Sequence, residues 1–301
     1  MMKERGGLVN RFWLSRAAWV LTLAFCAASS GWSFAELDLD GARALYQQTQ
    51  YRQALKILEP AQPKSPAAYA LLGQCYYMLE DYKKASEALQ KAVDADRSNS
   101  VYWDWLGRAY GRRAETSSFI TAPSYASKTR QYFEKAVELD PENLDAIDDL
   151  FEYYLEAPGF LGGGKDKAAE LSERIRQRAP AKYHSMQARL AEKDKKLDVA
   201  EREWRAAAEA APNEAGRLID LARFLARQAR HAESDAAFEQ AQELAPESVQ
   251  LKFQRARTYV DAQRNLDQAR TLLEEYLKSP LTPDDPPRSE AQKLLQKITK
   301  G

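Results

Sequence analysis

The chain has 301 residues, 45% of them hydrophobic and 29% charged, with Lys plus Arg at 44 and Asp plus Glu at 44. A net charge near zero gives no general pull toward nucleic acid or an anionic membrane, and the composition is neither disordered nor low-complexity. Ala, Leu, Glu, Lys, Arg and Gln dominate, so the expected elements are helices.

The first 35 residues differ from the rest. Lys3, Arg5, Arg11 and Arg16 stand against Glu4, and an uncharged, mostly apolar run follows from Ala17 to Ala28. Ser33 and Ala35 then sit three residues and one residue before a cleavage point after Ala35. This layout is that of a secretory signal peptide over 1–35, which predicts an exported, periplasmic or envelope-associated protein. The competing reading is an uncleaved anchor over 12–35, because no charge falls between Ala17 and Ala35. The apolar run is shorter than the ~20 residues that span a bilayer. Bulky Phe25 before Cys26 argues against a lipoprotein. Cleavage would remove Cys26 and leave Cys75 as a single thiol, expected to be a small buried side chain in a fold held by burial alone.

From residue 36 onward one pattern recurs. Leu72-Gly73 aligns with Leu106-Gly107, Tyr76 with Tyr110, and Leu89 and Ala92 with Phe133 and Ala136. An aromatic, Leu-Gly, Tyr, Ala, a large apolar residue, Ala and Pro follow one another in each unit. The pattern resembles the tetratricopeptide repeat, a helix–turn–helix unit of about 34 residues. Position 8 of the unit carries Ala42, Gly73, Gly107, Ala188, Ala222 and Ala256, with Phe151 departing. Position 20 carries Ala54, Ala85, Ala168 and Ala200, with Thr129 and Ser234 departing and Ala269 one residue late. Position 24 carries Leu58, Leu89, Phe133, Trp204 and Phe238, with Ser172 departing, and Pro66, Pro141, Pro180, Pro212 and Pro246 punctuate the units. Small residues let the two helices of a unit approach, large ones fill the space around the crossing, and proline ends one unit and opens the next.

These positions place repeats at 35–65, 66–99, 100–143, 144–180, 181–214, 215–248 and 249–282. A proline-rich linker follows, and a last helix within 283–301 closes the end. Ser289 and Gln292 suit a capping box there, and Ala291, Leu294, Leu295 and Ile298 give it one apolar face. The resemblance implies an all-α, right-handed solenoid of about seven helix pairs plus the C-terminal cap. It also implies a protein- or peptide-binding scaffold without catalysis of its own, of the kind found in bacterial envelopes.

Two units are too long, the third by ten residues and the fourth by five. The excess is expected between the two helices, within 114–128 and 157–168. Phe119, Ile120, Phe160 and Leu161 are apolar residues in those connectors, expected either to pack on one another as a lid or to meet a partner. The second connector contains Gly159 to Lys165 with the G-x-x-x-x-G-K spacing of a phosphate loop. The preceding segment reads as helix rather than strand, and Asp166 stands where a Ser or Thr hydroxyl should meet the metal. A nucleotide-binding enzyme is therefore the disfavoured reading. His184 and His231 lie far apart in register, no catalytic motif is present, and no metal or cofactor is expected.

The binding candidates are a row. In this resemblance the inner surface is lined by the first helix of each unit, and position 9 there reads Arg43, Gln74, Arg108, Glu152, Arg189, Arg223 and Arg257. Five arginines of seven predict a basic stripe that grips carboxylates, with Tyr46, Tyr77 and Trp105 as aromatic anchors on the same face. The alternative is local pairing, Asp40 with Arg43, Asp104 with Arg108 and Asp220 with Arg223. Arg189 and Arg257 lack such a neighbour in sequence. Leu39, Leu71 and Val101 occupy the places where a chaperone-tail carboxylate clamp would need polar residues, which disfavours that ligand. The partner is thus an unspecified protein or peptide, and nucleic acid is not expected.

Overall fold

The computed structural model describes residues 38–300 except Pro63, so the expected signal peptide or anchor lies outside the described residues. The described residues form fifteen α-helices, one 3-10 turn and no strand. In chain order they are α1 Leu39–Gln47, α2 Tyr51–Leu58, α3 Pro66–Met78, α4 Tyr82–Ala95, α5 Ser100–Thr116, α6 Ala122–Leu139, α7 Leu144–Glu156 and α8 Lys165–Glu173. There follow α9 Pro180–Lys193, α10 Leu197–Ala210, α11 Ala215–Arg227, α12 His231–Leu244, α13 Val249–Asp261, α14 Leu266–Lys278 and α15 Arg288–Lys300. Odd and even helices pair as seven hairpins, each packed on the next, and α15 packs on both α13 and α14. The chain is an all-α repeat solenoid. Pro66 and Pro180 open α3 and α9 at the first turn, where a missing N–H costs nothing.

The core follows the register of the repeat. At position 8, Ala42, Phe151, Ala188, Ala222 and Ala256 have no exposed surface. At position 20 Ala54, Ala85, Ala168, Ala200 and Ser234 are equally enclosed, as is Ala269 one residue later in its repeat. A Cβ on Gly73 would come within 2.5 Å of Leu89, and one on Gly107 within 2.5 Å of Phe133. Positions 8 and 24 therefore face each other across the hairpin, and the Leu89 and Phe133 side chains lie against the facing helix only because glycine leaves room. Cys75 is fully enclosed, and burial pushes its thiol up to about 12, so it acts as a small apolar group.

The two long repeats differ in kind. In the third, the excess is not a connector but a taller hairpin. Where α3 and α4 have 13 and 14 residues, α5 and α6 have 17 and 18, and only 117–121 turns between them. Four more residues in each helix and two more in the turn account for all ten. In the fourth the excess is a true loop, 157–164, with a 3-10 turn at Gly159–Leu161. The last helix starts at Arg288, one residue before Ser289, so Ser289 lies within its first turn instead of capping it. Its expected face is present: Ala291, Leu294 and Ile298 are buried, with Leu295 packed beside them.

Candidate functional site

Residues on the first helix of each hairpin define a recess over α7, α9 and α11. It has a volume of about 610 Å³. Unlike other neighbouring first helices, α9 and α11 do not pack closely side by side, and long side chains span the gap. Arg217 donates to Ser185 Oγ at 3.1 Å, and Arg227 to Glu192 at 2.7 Å. Trp204 Nε1, from α10, also donates to Glu192 at 2.7 Å. Across α7 and α9, Lys182 meets Asp148 at 2.9 Å, Lys193 meets Glu156 at 2.6 Å, and Arg189 meets Asp148 at 3.0 Å as well as Glu152. Burial works to raise the Asp148 carboxyl, but Lys182 and Arg189 outweigh it and hold it below the usual carboxylate range.

The expected basic stripe is thus corrected to a mixed-charge surface, with five carboxylates among six Lys and Arg in the recess. Arg189, expected to lack a partner, is among the most engaged residues. Its two carboxylates come from α7, and its guanidinium lies 4.9 Å from the Phe151 ring centre. Sequence spacing within one helix could not show this, because Asp148 is 41 residues away and on the neighbouring repeat. Arg257 has only distant partners, Asp261 at 3.8 Å and Glu290 of α15 at 4.0 Å. Arg43 pairs locally with Asp40 at 2.9 Å, and Arg223 with Asp220 at 3.5 Å.

Arg108 lies between two carboxylates, Asp104 at 3.0 Å on its own helix and Asp149 on α7. Asp104 is only 3% exposed. Burial pushes its carboxyl up to about 8 against the pull of Arg108, and the Asp149 charge adds to the rise. Trp105 lies 4.9 Å under the Arg108 guanidinium and meets Tyr77 edge-on at 5.4 Å, so these three expected residues do come together. Tyr46 does not join them. It is 6% exposed and packs on Tyr51 inside the first hairpin, which makes it a core residue and corrects its assignment as an anchor.

The apolar connector residues do not form the packed lid. Phe119, Ile120 and Phe160 are 86%, 75% and 83% exposed. Leu161 is half-buried, and its carbonyl accepts from Tyr153 Oη at 2.9 Å. In the glycine-rich loop the N–H groups of Gly162 and Gly163 donate to the loop carbonyls of Gly159 and Pro158, and that of Gly164 donates to Tyr154 O in the last turn of α7. Gly162 has φ 89°, a left-handed conformation, and Lys165 pairs with Asp194. A phosphate loop needs those N–H groups and that lysine free, and it follows a strand; here α7 precedes it. Among the described residues no cluster of His, Cys, Asp or Glu is placed to hold a metal, and no helix is long and apolar enough to cross a membrane.

Residues 36–108 match the family model described as tetratricopeptide repeat. A thermophilic tetratricopeptide protein of Thermus thermophilus is similar over 62% of this chain and 96% of its own, with 21% identity and a TM-score of 0.51. A tetratricopeptide repeat protein from Parabacteroides merdae covers 87% of this chain and 97% of its own at 13% identity and a TM-score of 0.56. The Sol locus transcriptional repressor of Clostridium acetobutylicum is 28% identical over 36% of this chain, and the match spans 36% of that repressor's length. With the family match over its first repeats and the same hairpin recurring in register to Lys278, the described residues have the fold of a tetratricopeptide-repeat solenoid.

Proposed function

We propose that the protein is a non-enzymatic scaffold that binds a protein or peptide along the recessed face of its first helices. The observation that carries this reading is the recess over α7, α9 and α11, where side chains of both signs line an open surface. Paired charges of both signs favour a polar polypeptide that can exchange partners with them, and complementarity of this kind sets register more than raw affinity. Repeat proteins of this fold are in general interaction scaffolds, which agrees with this reading. Site-specific photo-crosslinkers test it. Placed at Lys193 in the recess, a crosslinker captures the partner; placed at Arg202, outside that recess, it does not. Capture from Arg202 alone would overturn the reading.

The cellular setting is part of the proposal: an exported protein of the bacterial envelope, or its variant tethered by an uncleaved segment over 12–35. The support is the basic, apolar and small-residue order of the first 35 residues. The N-terminal residue of protein purified from its host separates them, Glu36 for the exported form and Met1 for the tethered one.

A further inference from the structure

A second cavity of about 440 Å³ lies at the turn ends of α11 and α13. Its charged lining is Arg223, Arg227 and Arg257 against Asp261, with His231 beside them and otherwise small residues, three alanines and Thr258. This contrasts with the larger recess, where signs nearly balance. Here the cations are poorly matched. Arg223 reaches one carboxylate at 3.5 Å, and Arg257 reaches none closer than 3.8 Å. Only Arg227 has a short bond, to Glu192 at 2.7 Å. His231 Nδ1 is buried and has no hydrogen-bond partner. Burial and the like charges of Arg227 and Arg257 depress the Arg223 guanidinium below its ordinary range, although Asp220 opposes them. His231 also begins α12, whose first turn has no side-chain cap, so the positive end of that helix adds to the same field.

We propose that this cavity is an anion site, in which Arg223 and Arg257 hold a carboxylate of a bound polypeptide and His231 supplies a further donor. The proposal rests on the scaffold reading above and names the chemistry it selects. Arg223 and Arg227 line both cavities, so a chain lying along the recess would carry its acidic group directly into this one. Arginine suits the task because its planar fork bonds a carboxylate through two N–H groups at once. The expected acidic group is a Glu or Asp side chain of the partner.

The test uses the full chain and a fluorescein-labelled hexaglutamate peptide, followed by anisotropy at low salt. A hexaglutamine peptide of the same length and inorganic phosphate serve as the other probes. Hexaglutamate is expected to bind at least about tenfold more tightly than hexaglutamine, as a charge-assisted hydrogen bond implies. Arg223→Gln and Arg257→Gln are each expected to weaken it at least about tenfold, whereas Arg202→Gln, on α10 outside both cavities, leaves it unchanged. Helicity and unfolding midpoint confirm that each variant folds; should Arg223→Gln fail, the half-exposed Arg257 decides alone. Equal binding of the two peptides, or no change in Arg257→Gln, would overturn the anion site. Phosphate bound as tightly as the peptide, and lost in the same variants, would overturn the polypeptide carboxylate. Capture at Lys193 separates the two levels. If capture holds while peptide discrimination fails, only the anion site falls; if capture itself fails in the unmodified protein, the scaffold reading falls.

Discussion

Phe151 and Ser172 depart from the repeat at positions 8 and 24, and the two departures compensate. Elsewhere a small residue at position 8 faces a large one at 24, as Gly73 faces Leu89 and Gly107 faces Phe133. In the fourth repeat the sizes are exchanged, and both residues are fully enclosed. Ser172 Oγ meets its polar needs, donating to Ala169 O at 2.7 Å and accepting from Gln187 at 2.8 Å. Ser172→Leu is therefore expected to overpack this hairpin and cost about 1–3 kcal/mol. Adding Phe151→Gly restores the usual pairing, and a double-mutant cycle in urea should show a favourable coupling. Additive losses would mean that the two residues do not share one space. Asp104 gives a second prediction at this scale. Its carboxyl is raised by burial to about 8 in the folded state, well above the ordinary value near 3.9. Between those values the folded chain holds a proton that the unfolded chain has lost. The stability from that proton is complete below about pH 4 and is lost as pH rises through 8. Asp104→Asn removes the titration, so its denaturation midpoint should vary less between pH 4 and 8 than the unmodified protein's. Parallel pH profiles would refute the raised carboxyl.

The five regular hairpins share one turn. Thr49, Glu80, Lys195, Ala229 and Gln263 all have positive φ, between 51° and 63°. At each, two N–H groups return to the end of the first helix, as Lys195 does to Glu192 and Lys196 to Ala191, both at 2.9 Å. This is a Schellman closure made without glycine, although the left-handed region costs an L-residue about 1–2 kcal/mol. Lys195→Gly should thus stabilise the chain, by about 0.5–1 kcal/mol after glycine's own entropy cost. The same change at exposed Arg202, inside α10, should destabilise it by about 1 kcal/mol. Thermal melts of the two variants check both signs. The closure is missing in the third and fourth repeats, the two with insertions. The periodicity of small and large residues made every hairpin legible in the sequence, because it is set within one hairpin. Where the ten extra residues of the third repeat went was not legible. Residues 114–128 contain no strong helix breaker except Pro123, which sits in the first turn of α6, where proline is tolerated. The arginine row was legible as a row, but its charge state was not, since Asp148 and Glu152 reach Arg189 from the neighbouring repeat.

In a solenoid each repeat is ordered by its neighbours, so the last hairpin depends on α15. The apolar face of α15 covers the last hairpin, where Phe253, Tyr259, Leu273 and Tyr276 are almost wholly enclosed. Arg288 fastens the linker by donating to Leu277 O at 3.3 Å and Ser279 O at 2.8 Å, and Tyr276 Oη donates to Pro286 O. Leu294→Asp would place an unpaired carboxylate against that core at a cost of about 3 kcal/mol. Because coupling runs only between nearest neighbours, the damage should stay near the end. Hydrogen exchange is expected to show lost protection in α13, α14 and α15, with α3 to α6 unchanged. The anion cavity uses Arg257 on α13, so binding of the hexaglutamate probe should weaken in the same variant, while Lys193, two repeats upstream, keeps its pairing with Glu156. Protection lost evenly along the chain would mean that the solenoid unfolds as one cooperative body, and the end cap would then bear on every repeat rather than on the last.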